Sequence, residues 1–287
     1  MKNTHTNQLF GLLLATLFIS TSGVLGKYIA MPTEVIVWFR SAIGMVFLYF
    51  YCTLKNISLK ITRVRDLPSL VISSLFLGAH WITYFYSLKL SNVAIGVLSL
   101  YTFPVITAML EPLFMKTKFD YVHILLAVLV LLGIYILVPD LNLQSSYTKG
   151  ILFGVLSAFL YAVRSLLLKR NHTHKYHGST IMFYQTMIIS VVLIPVLFFM
   201  DVSNIATQYP YVLLLGIFTT ALGHSLMVRA FKHFSVSTAT IISSVQPIFG
   251  IILAFIFLNE IPSINTSFGG LLILSTVVIE SFRSRKR

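Results

Sequence analysis

The sequence predicts an all-α integral membrane protein with ten transmembrane helices, arranged as two inverted five-helix repeats with both termini cytoplasmic. Three features lead to this fold class: long apolar runs, an uneven placement of positive charge, and a second half that repeats the first. Of the 287 residues, 57% are hydrophobic and 10% are charged, whereas soluble domains carry about a quarter charged residues. A water-soluble globule is therefore excluded. A β-barrel is excluded too, because the apolar runs do not alternate with polar residues as barrel strands do.

Ten apolar runs follow one another along the chain, each about the 20 residues that a helix needs to cross the hydrocarbon core. The connections between them are short and leave no room for a soluble domain. The first run lacks an A-x-A cleavage site and is longer than the apolar part of a signal peptide, so we expect a retained helix. In chain order the predicted spans are Leu9–Ile29, Val35–Leu54, Leu67–Leu88, Val93–Met115, Tyr121–Val138, Gly150–Leu168, Ser179–Met200, Tyr211–Phe231, Val236–Leu258 and Thr266–Phe282.

The formal net charge of +13 is distributed unevenly between the loops. With the N-terminus in the cytoplasm, 16 of the 21 Lys and Arg residues fall on the cytoplasmic side and 3 on the outer side, with Arg40 and Arg164 inside spans. Cytoplasmic loops of membrane proteins carry such an excess, so both termini are predicted to be cytoplasmic. The basic C-terminal residues 283–287 then anchor the last helix at an anionic lipid surface, and we expect no nucleic-acid partner.

The second half of the chain repeats the first at an offset of 143 residues. Leucine matches are common in so apolar a chain, but matches of proline, lysine and glycine are not. The informative pairs are Gly11 with Gly154, Lys89 with Lys232, and Pro104 with Pro247.

The repeat divides the chain into two five-helix units, residues 7–140 and residues 148–283. Because five is odd, the second unit enters the membrane upside down relative to the first. Inverted repeats of this kind are typical of secondary transporters. Exchange of conformation between the two halves converts an inward-open state into an outward-open one, so the repeat predicts alternating access.

Two long stretches carry a resemblance to a known family. They are "AHWITYFYSLKLSNVAIGVLSLYTFPVITAMLEPLF" (Ala79–Phe114) and "HSLMVRAFKHFSVSTATIISSVQPIFGIILAFIFLNE" (His224–Glu260). Each contains a helix end, a short polar link and a helix with a proline near its middle. The two halves resemble the paired EamA domains of the drug/metabolite transporter superfamily over nearly the whole chain. Members often carry a Glu after the fourth helix as well as the ninth, whereas Lys116-Thr117-Lys118 stands at the position that matches Glu260.

The resemblance implies a secondary active transporter, favoured as an exporter, that moves small metabolites such as amino acids or their derivatives across the bacterial inner (plasma) membrane. Uptake of a nucleotide-like or vitamin-like metabolite is an alternative. An intramembrane enzyme is a further alternative, although the spans offer only scattered acids, bases and nucleophiles. The chain lacks a complete phosphate-binding loop, so transport energy must come from a gradient, of protons or another coupling ion. A homodimer is compatible with the sequence.

Two arginines within spans are candidates for the substrate pathway, because polar groups at membrane depth are costly and tend to be functional. Arg40 either faces the cavity to bind a carboxylate or phosphate, or extends to the outer headgroups. Gln185 is its counterpart in the second half, after a slip of two residues. Arg164 lies near the cytoplasmic end of the sixth span, where extension to the headgroups is easier.

Glu111 is a carboxylate inside the fourth span and breaks the repeat, since the offset aligns it with Ala254. It shares one helix face with Tyr101 and Pro104. Three interpretations stay open for Glu111: a protonatable coupling site, a contact for a substrate amine, or a structural acid paired with a base such as Arg164.

Histidine, tyrosine and glutamine complete the candidate pathway. His80 and His224 are nearly symmetric, because the offset places Trp81 opposite His224. A membrane histidine acts either in a hydrogen bond between helices or as a proton relay. The remaining candidates, which suit an amphipathic metabolite as well as ordinary packing, are Tyr84, Tyr101, Tyr161 and Gln246.

Pro104 and Pro247 are predicted to bend two equivalent helices near the membrane midplane. Each removes a backbone hydrogen bond and leaves the carbonyl one turn earlier without its helical partner. The single cysteine, Cys52, excludes an intramolecular disulfide. We expect no catalytic residues, no cofactor and no metal site.

Overall fold

The computed structural model describes residues 2–116, 121–137, 142, 144–236, 239 and 242–284, and within these ranges the chain forms helices and turns without a strand. The cytoplasmic charges that the sequence predicts at Lys118 and at residues 285–287 lie outside the described residues, as do the last residues of the first predicted repeat, 138–140.

Within the described residues of the first half, the chain forms six helices. A short 3₁₀ turn, Val64–Asp66, precedes the third of them. The helices are α1 (Lys2–Tyr28), α2 (Thr33–Leu54), α3 (Leu67–Leu90), α4 (Val93–Leu100), α5 (Phe103–Met115) and α6 (Val122–Leu137).

In the described part of the second half, seven further helices follow. A π-helical segment, Leu215–Gly223, joins the fourth of them to the fifth, and a 3₁₀ turn, Ser243–Val245, precedes the sixth. The helices are α7 (Ser146–Asn171), α8 (Gly178–Val192), α9 (Val196–Phe199), α10 (Ile205–Leu214), α11 (His224–His233), α12 (Gln246–Leu258) and α13 (Ile264–Ser284).

Seven helices or continuous helical runs in the described residues are long and apolar enough to cross a membrane. They contain α1, α2, α3, the pair α4–α5, α7, the pair α8–α9, and the run from α10 to α11. Three shorter apolar helices, Ile124–Leu137, Gln246–Leu258 and Ile264–Thr276, occupy the places of the fifth, ninth and tenth predicted spans. The outer surface carries large apolar side chains, among them Phe199 (86% exposed) and Leu113 (74% exposed), as expected of a surface that contacts lipid rather than water.

The helices α5 and α12 occupy equivalent positions in the two halves and match each other closely in length and in their ends. Both contain 13 residues and have a proline in the first turn, while α5 has a second proline, Pro112, further along. Each ends at a residue with left-handed backbone, Lys116 (φ 55°) and Asn259 (φ 53°), which lie 143 positions apart. A left-handed residue ends a helix by satisfying its last carbonyls, and Asn adopts this conformation more readily than Lys.

The backbone departs from α-helix just before each proline. Turn residues Tyr101 and Thr102 separate α4 from α5 ahead of Pro104, and the 3₁₀ turn Ser243–Val245 stands ahead of Pro247. Proline lacks the N–H that would continue the helical hydrogen-bond pattern. The interruptions therefore lie at the positions where bends were predicted from the two prolines.

The long helices α3 and α7 pack antiparallel at the centre of the bundle. Ser69 near the start of α3 lies 2.7 Å (Oγ to Nε2) from His172, just after the end of α7. At the other end, α7 has glycines where α3 and α4 come close, and a Cβ on Gly154 would lie 2.5 Å from Ser99 Cβ. The equivalent pairing in the other half places α1 against the π segment and α11.

Each end of the bundle has a lysine that caps the carboxyl end of a neighbouring helix. Lys27 of α1 donates from Nζ to the carbonyls of Leu88 (2.8 Å) and Ser91 (2.7 Å). Lys169 of α7 donates to the carbonyls of Phe231 (2.5 Å) and Phe234 (3.0 Å), which are the equivalents of Leu88 and Ser91 at the 143-residue offset. We call these contacts the lysine caps. Positive charge is favourable at a helix carboxyl terminus, where carbonyls lack helical partners.

An acidic residue from the opposite half lies near each lysine cap. Glu260, after α12, is close enough to Lys27 to attract it, and its Oε2 accepts from the amide of Val93 at the first turn of α4 (2.7 Å). Glu111 of α5 is similarly close to Lys169. The two ends of the bundle thus carry contacts of related design.

Candidate functional site

A small cavity lies at the centre of the bundle, where α1, α3, α7, α11 and the two proline-containing segments meet. Its volume is about 30 Å³, room for about one water molecule. Six of the ten predicted pathway residues line the cavity: His80, Tyr84, Tyr101, Tyr161, His224 and Gln246.

The cavity wall is a layer of stacked rings. His80 lies parallel to Tyr84, with centroids 6.2 Å apart and 8° between the planes, and 4.7 Å from the ring of Tyr161. Phe103, one residue before Pro104, meets the Tyr161 ring edge-on at 5.2 Å. Aromatic surfaces with a few polar edges suit a ligand that is partly apolar and partly polar.

His80 is held by the neighbouring helix. Its Nδ1 lies 2.7 Å from Ser157 Oγ and 3.1 Å from the Ser157 carbonyl, and the Ser157 hydroxyl donates to the His80 carbonyl (2.9 Å). Since one hydroxyl and two backbone carbonyls are satisfied between α3 and α7, the hydrogen-bonding interpretation of His80 accounts for its position.

His224 contacts its own repeat equivalent. Trp81 Nε1 donates to His224 Nε2 at 3.3 Å, and the two ring centroids are 5.3 Å apart. A neutral imidazole that accepts at Nε2 carries its proton on Nδ1. His224 Nδ1 is buried and has no hydrogen-bond partner in the described part of the chain, so the cavity is lined by an unsatisfied donor.

Tyr101 joins the two broken helices. Its hydroxyl donates a short hydrogen bond to the carbonyl of Ser243, the carbonyl that Pro247 leaves without its helical donor, and lies 3.0 Å from Gln246 Oε1. One side chain of the first half therefore satisfies the backbone defect of the second half.

Arg40 lies behind the cavity wall and is completely buried (0% exposed). Its Nε donates to Thr220 Oγ1 (2.9 Å), and its guanidinium carbon lies 4.1 Å from the ring centroid of Trp81 and 5.4 Å from that of Phe85. In the part of the chain that the structure describes, Nη1 and Nη2 have no hydrogen-bond partner. The alternative that Arg40 extends to the outer headgroups is wrong, because the side chain points into the protein.

Arg164 is buried in the same way (0% exposed), so its extension to the cytoplasmic headgroups is also wrong. Nη2 donates to Gln185 Oε1 at 2.6 Å and lies 3.3 Å from the sulfur of Met182, while Nε and Nη1 find no partner among the described residues. The guanidinium carbon is 5.7 Å from the ring centroid of Tyr161, the residue of the cavity wall in front of it.

The structure shows the surroundings of two further candidates. Gln185, the predicted repeat counterpart of Arg40, accepts from Arg164 and donates to Ser73 Oγ (3.2 Å). Glu111 is half-buried near the end of α5 and does not line the cavity. Arg164 bonds to Gln185, and Lys169 is a base close enough to Glu111 to interact with it electrostatically.

Three residues that contact the candidates were not predicted from the sequence: Trp81, Ser157 and Thr220. Trp81 carried a usable signal, since the offset of 143 aligns it with His224. Thr220 lies in the π segment Leu215–Gly223, and π-helical turns occur frequently at functional sites. The adjacent polar pair Thr219-Thr220 within an apolar run was the available signal.

Comparison with known proteins places the chain in a family. The model of the EamA-like transporter family matches twice, over residues 7–138 and 148–282. The chain is 27% identical over 282 residues to the pseudopaline exporter CntI of Pseudomonas aeruginosa (strain UCBPP-PA14), covering 96% of this chain and 97% of that one. It is 23% identical over 279 residues to the uncharacterized transporter YxxF of Bacillus subtilis (strain 168), covering 95% and 88%.

A protein of known crystal structure has the same fold. It superimposes with a TM-score of 0.73 at 17% sequence identity, covering 97% of this chain and 99% of its own. The two family matches together span most of the sequence. They agree with the structure, which is a bundle of apolar helices around a polar and aromatic cavity. The protein belongs to the EamA-like transporter family and is an integral membrane transporter of the drug/metabolite type.

Proposed function

We propose that the protein is a secondary active exporter of small metabolites, such as amino acids or their derivatives, and that it works by alternating access. The observation that carries the proposal is the small central cavity between the two broken helices, lined by side chains of both halves. The name of the Pseudomonas relative, pseudopaline exporter, supports the outward direction.

The architecture that we propose is ten transmembrane helices in two inverted repeats, residues 7–140 and 148–283. Three observations support it. Helices α5 and α12 have matching lengths and ends, the lysine caps lie on equivalent carbonyls at opposite ends of the bundle, and Trp81 touches its repeat equivalent His224. Equivalent residues can touch only near the axis that relates the two halves.

The ten candidate residues divide into two groups in this proposal. His80, Tyr84, Tyr101, Tyr161, His224 and Gln246 contact the substrate directly once the cavity opens. Arg40, Arg164 and Gln185 act from behind the aromatic wall, and Glu111 acts at one end of the bundle. Pro104 and Pro247 provide the bends at which the two halves change shape.

Transport in inverted membrane vesicles tests the function. Inverted vesicles with the protein are loaded from outside with a labelled amino-acid library, and vesicles with the Tyr161→Ala protein serve as the comparison. Export predicts accumulation inside the inverted vesicles that the variant reduces by at least tenfold. Accumulation only in right-side-out vesicles would indicate uptake, and chemical turnover without flux would indicate an enzyme.

Single-cysteine labelling tests the orientation in the bacterial inner (plasma) membrane. Because Cys52 is the single native cysteine, a Cys52→Ser protein gives a clean background. Lys60 and Lys149 are both exposed in the structure. With cytoplasmic termini, an impermeant thiol reagent should label Lys149→Cys in intact cells and Lys60→Cys only in inverted vesicles. The reverse pattern contradicts the proposed orientation.

A further inference from the structure

We propose that Arg40 and Arg164 are the anion-recognition groups of the central site, and that the substrate is a small molecule with two carboxylate groups. The proposal rests on the proposed transport function and deepens it. Its starting point is the number of buried donors around the cavity that have no acceptor in the described part of the chain.

The first step is the charge balance of the bundle centre. Arg40 and Arg164 are both fully buried, and among the described residues neither has a carboxylate partner. The described acidic side chains with identified partners lie at the ends of the bundle instead: Glu34 accepts from Tyr86, Asp66 from Lys175, and Glu260 from the amide of Val93.

The second step is the cost of this arrangement. An unpaired buried charge destabilises a protein strongly, and buried N–H groups almost always have partners. Here four guanidinium nitrogens, Nη1 and Nη2 of Arg40 with Nε and Nη1 of Arg164, have none in the described structure. We therefore expect an anionic ligand to bind here and to balance the charge of the two arginines.

The third step is the position of the two guanidiniums. Arg40 stacks against Trp81 and Arg164 lies behind Tyr161, and both aromatic residues line the cavity. Both arginines are near enough to His80 and His224 to interact with them electrostatically. Displacement of two rings would therefore expose both cations to a ligand in the cavity.

The fourth step is the chemistry that each arginine offers. Thr220 holds Arg40 through Nε, which leaves the two terminal nitrogens as a planar fork that matches both oxygens of one carboxylate. Gln185 orients Arg164 through Nη2 and leaves Nη1 for a second anionic group. A planar fork distinguishes a carboxylate from a neutral amide or ester, and lysine cannot replace it.

Comparative analysis of growth media tests the proposal. Small molecules are compared by mass spectrometry in media of cells with the wild-type protein, Arg40→Gln, Arg40→Lys and Lys149→Gln, which removes an exposed cation outside the site. We expect the exported compound to carry two carboxylates and its external level to fall at least tenfold in Arg40→Gln. Arg40→Lys should be intermediate, and Lys149→Gln should match the wild type.

The possible failures are distinguishable. Absence of any protein-dependent compound would contradict the transport function itself. An exported compound without carboxylates would leave transport intact and overturn the assignment of the arginines.

Selectivity separates recognition from structural support. Vesicle transport of the exported acid is compared with that of its methyl ester, and size-exclusion chromatography verifies that each variant is folded. The wild type should prefer the acid by at least tenfold, and Arg40→Gln or, if that variant does not fold, Arg164→Lys should lose most of the preference. A folded variant that keeps the wild-type ratio would overturn the proposal.

Discussion

Tyr101 shows how one hydroxyl can support a backbone that proline has interrupted. The Tyr101 hydroxyl donates to the carbonyl of Ser243, which Pro247 leaves without its helical donor. Both groups are buried, so the bond is shielded from bulk solvent. The contact belongs to the tertiary structure, since the two residues are 142 positions apart.

Tyr101→Phe should destabilise the protein by about 0.5–1.5 kcal/mol, because one buried hydrogen bond to the Ser243 carbonyl is lost. The ring is retained, and the backbone N–H of Gln246 still donates to the same carbonyl. Thermal unfolding in detergent measures the effect as a lower Tm. Tyr147→Phe removes an exposed hydroxyl and is the matched control. Equal melting of the two variants would mean that the hydroxyl contributes nothing to the bend.

His172, in the turn after α7, gives the protein a pH-dependent stability. Burial lowers the pKa of its imidazole to about 4, with Asp66 opposing and Lys175 reinforcing the shift. The folded state therefore binds a proton less readily than the unfolded chain, whose histidine pKa is about 6.5. Stability from this group is present above pH ~6.5 and is lost as the pH falls toward 4.

His172→Gln should reduce the pH dependence of unfolding while it preserves a hydrogen bond to Ser69. Melting temperatures of the wild type and the variant are compared at pH 7 and pH 4.5. The wild type should lose more stability on acidification than the variant. The same decrease in both proteins would show that other groups carry the acid sensitivity.

Equivalent helices experience unequal packing, although the repeat relates them. Gly154 of α7 faces α3 and α4, where an added Cβ would lie 2.5 Å from Ser99 Cβ and 2.9 Å from Ser87 Oγ. Its repeat equivalent, Gly11 of α1, has nothing within 4 Å of such a Cβ. The same residue type therefore reflects close helix contact at one position and not at the other.

Gly154→Ala should destabilise the protein by about 1–3 kcal/mol through overpacking. Gly11→Ala should be neutral or slightly stabilising, since alanine favours helix by up to about 1 kcal/mol over glycine. Unfolding by SDS in mixed micelles compares the two variants directly. Equal effects would mean that α3, α4 and α7 can separate at no cost.

Regular elements followed from the sequence better than irregular ones. The equivalence of α5 and α12 was predictable, because proline fixes the backbone locally and both copies carry it at the same place. The π segment Leu215–Gly223 was not, since its hydrogen-bond pattern depends on packing against α1 and α2. The helix break after Val192 is explained by Pro195. This break was not predicted from the sequence, because Ser179–Met200 was predicted as one continuous span.

The candidate site was predicted in part for a similar reason. Six of the ten candidates line the cavity: five histidines and tyrosines, and one glutamine. Glu111 shares a face with Tyr101 but lies ten residues further along, about 15 Å at 1.5 Å per residue, and so falls outside the cavity. The bond between Arg164 and Gln185 required knowledge of how α7 and α8 pack.

At the scale of the whole molecule, Glu260 connects the second half to the first at the end of the bundle that contains Lys27. It accepts from the amide of Val93 and attracts Lys27, both of which belong to the first half. At the same end, Glu34 bonds to Tyr86 within the first half only (2.6 Å). The two carboxylates therefore differ in whether they join the halves.

Glu260→Ala should favour opening of this end, because it removes a charge-assisted contact between the halves. A cysteine at Ser22, which lines the cavity, reports access in the Cys52→Ser background. Its labelling from the side on which Lys149→Cys reacts should accelerate about tenfold, as for a loss of 1.4 kcal/mol. Glu34→Ala should leave the rate unchanged, and equal acceleration by both variants would contradict this role.

The contact between Trp81 and His224 implies an energetic asymmetry in the transport cycle. In an inverted repeat, exchange of the two halves leaves the axis in place, so two identical residues there would serve both end states equally. A tryptophan that donates to a histidine cannot do so. In the proposed alternating-access cycle, the inward-facing and outward-facing forms would therefore differ in free energy, and the empty protein would rest preferentially on one side. Exchange of the two residues, by Trp81→His with His224→Trp, should shift that preference toward the opposite side.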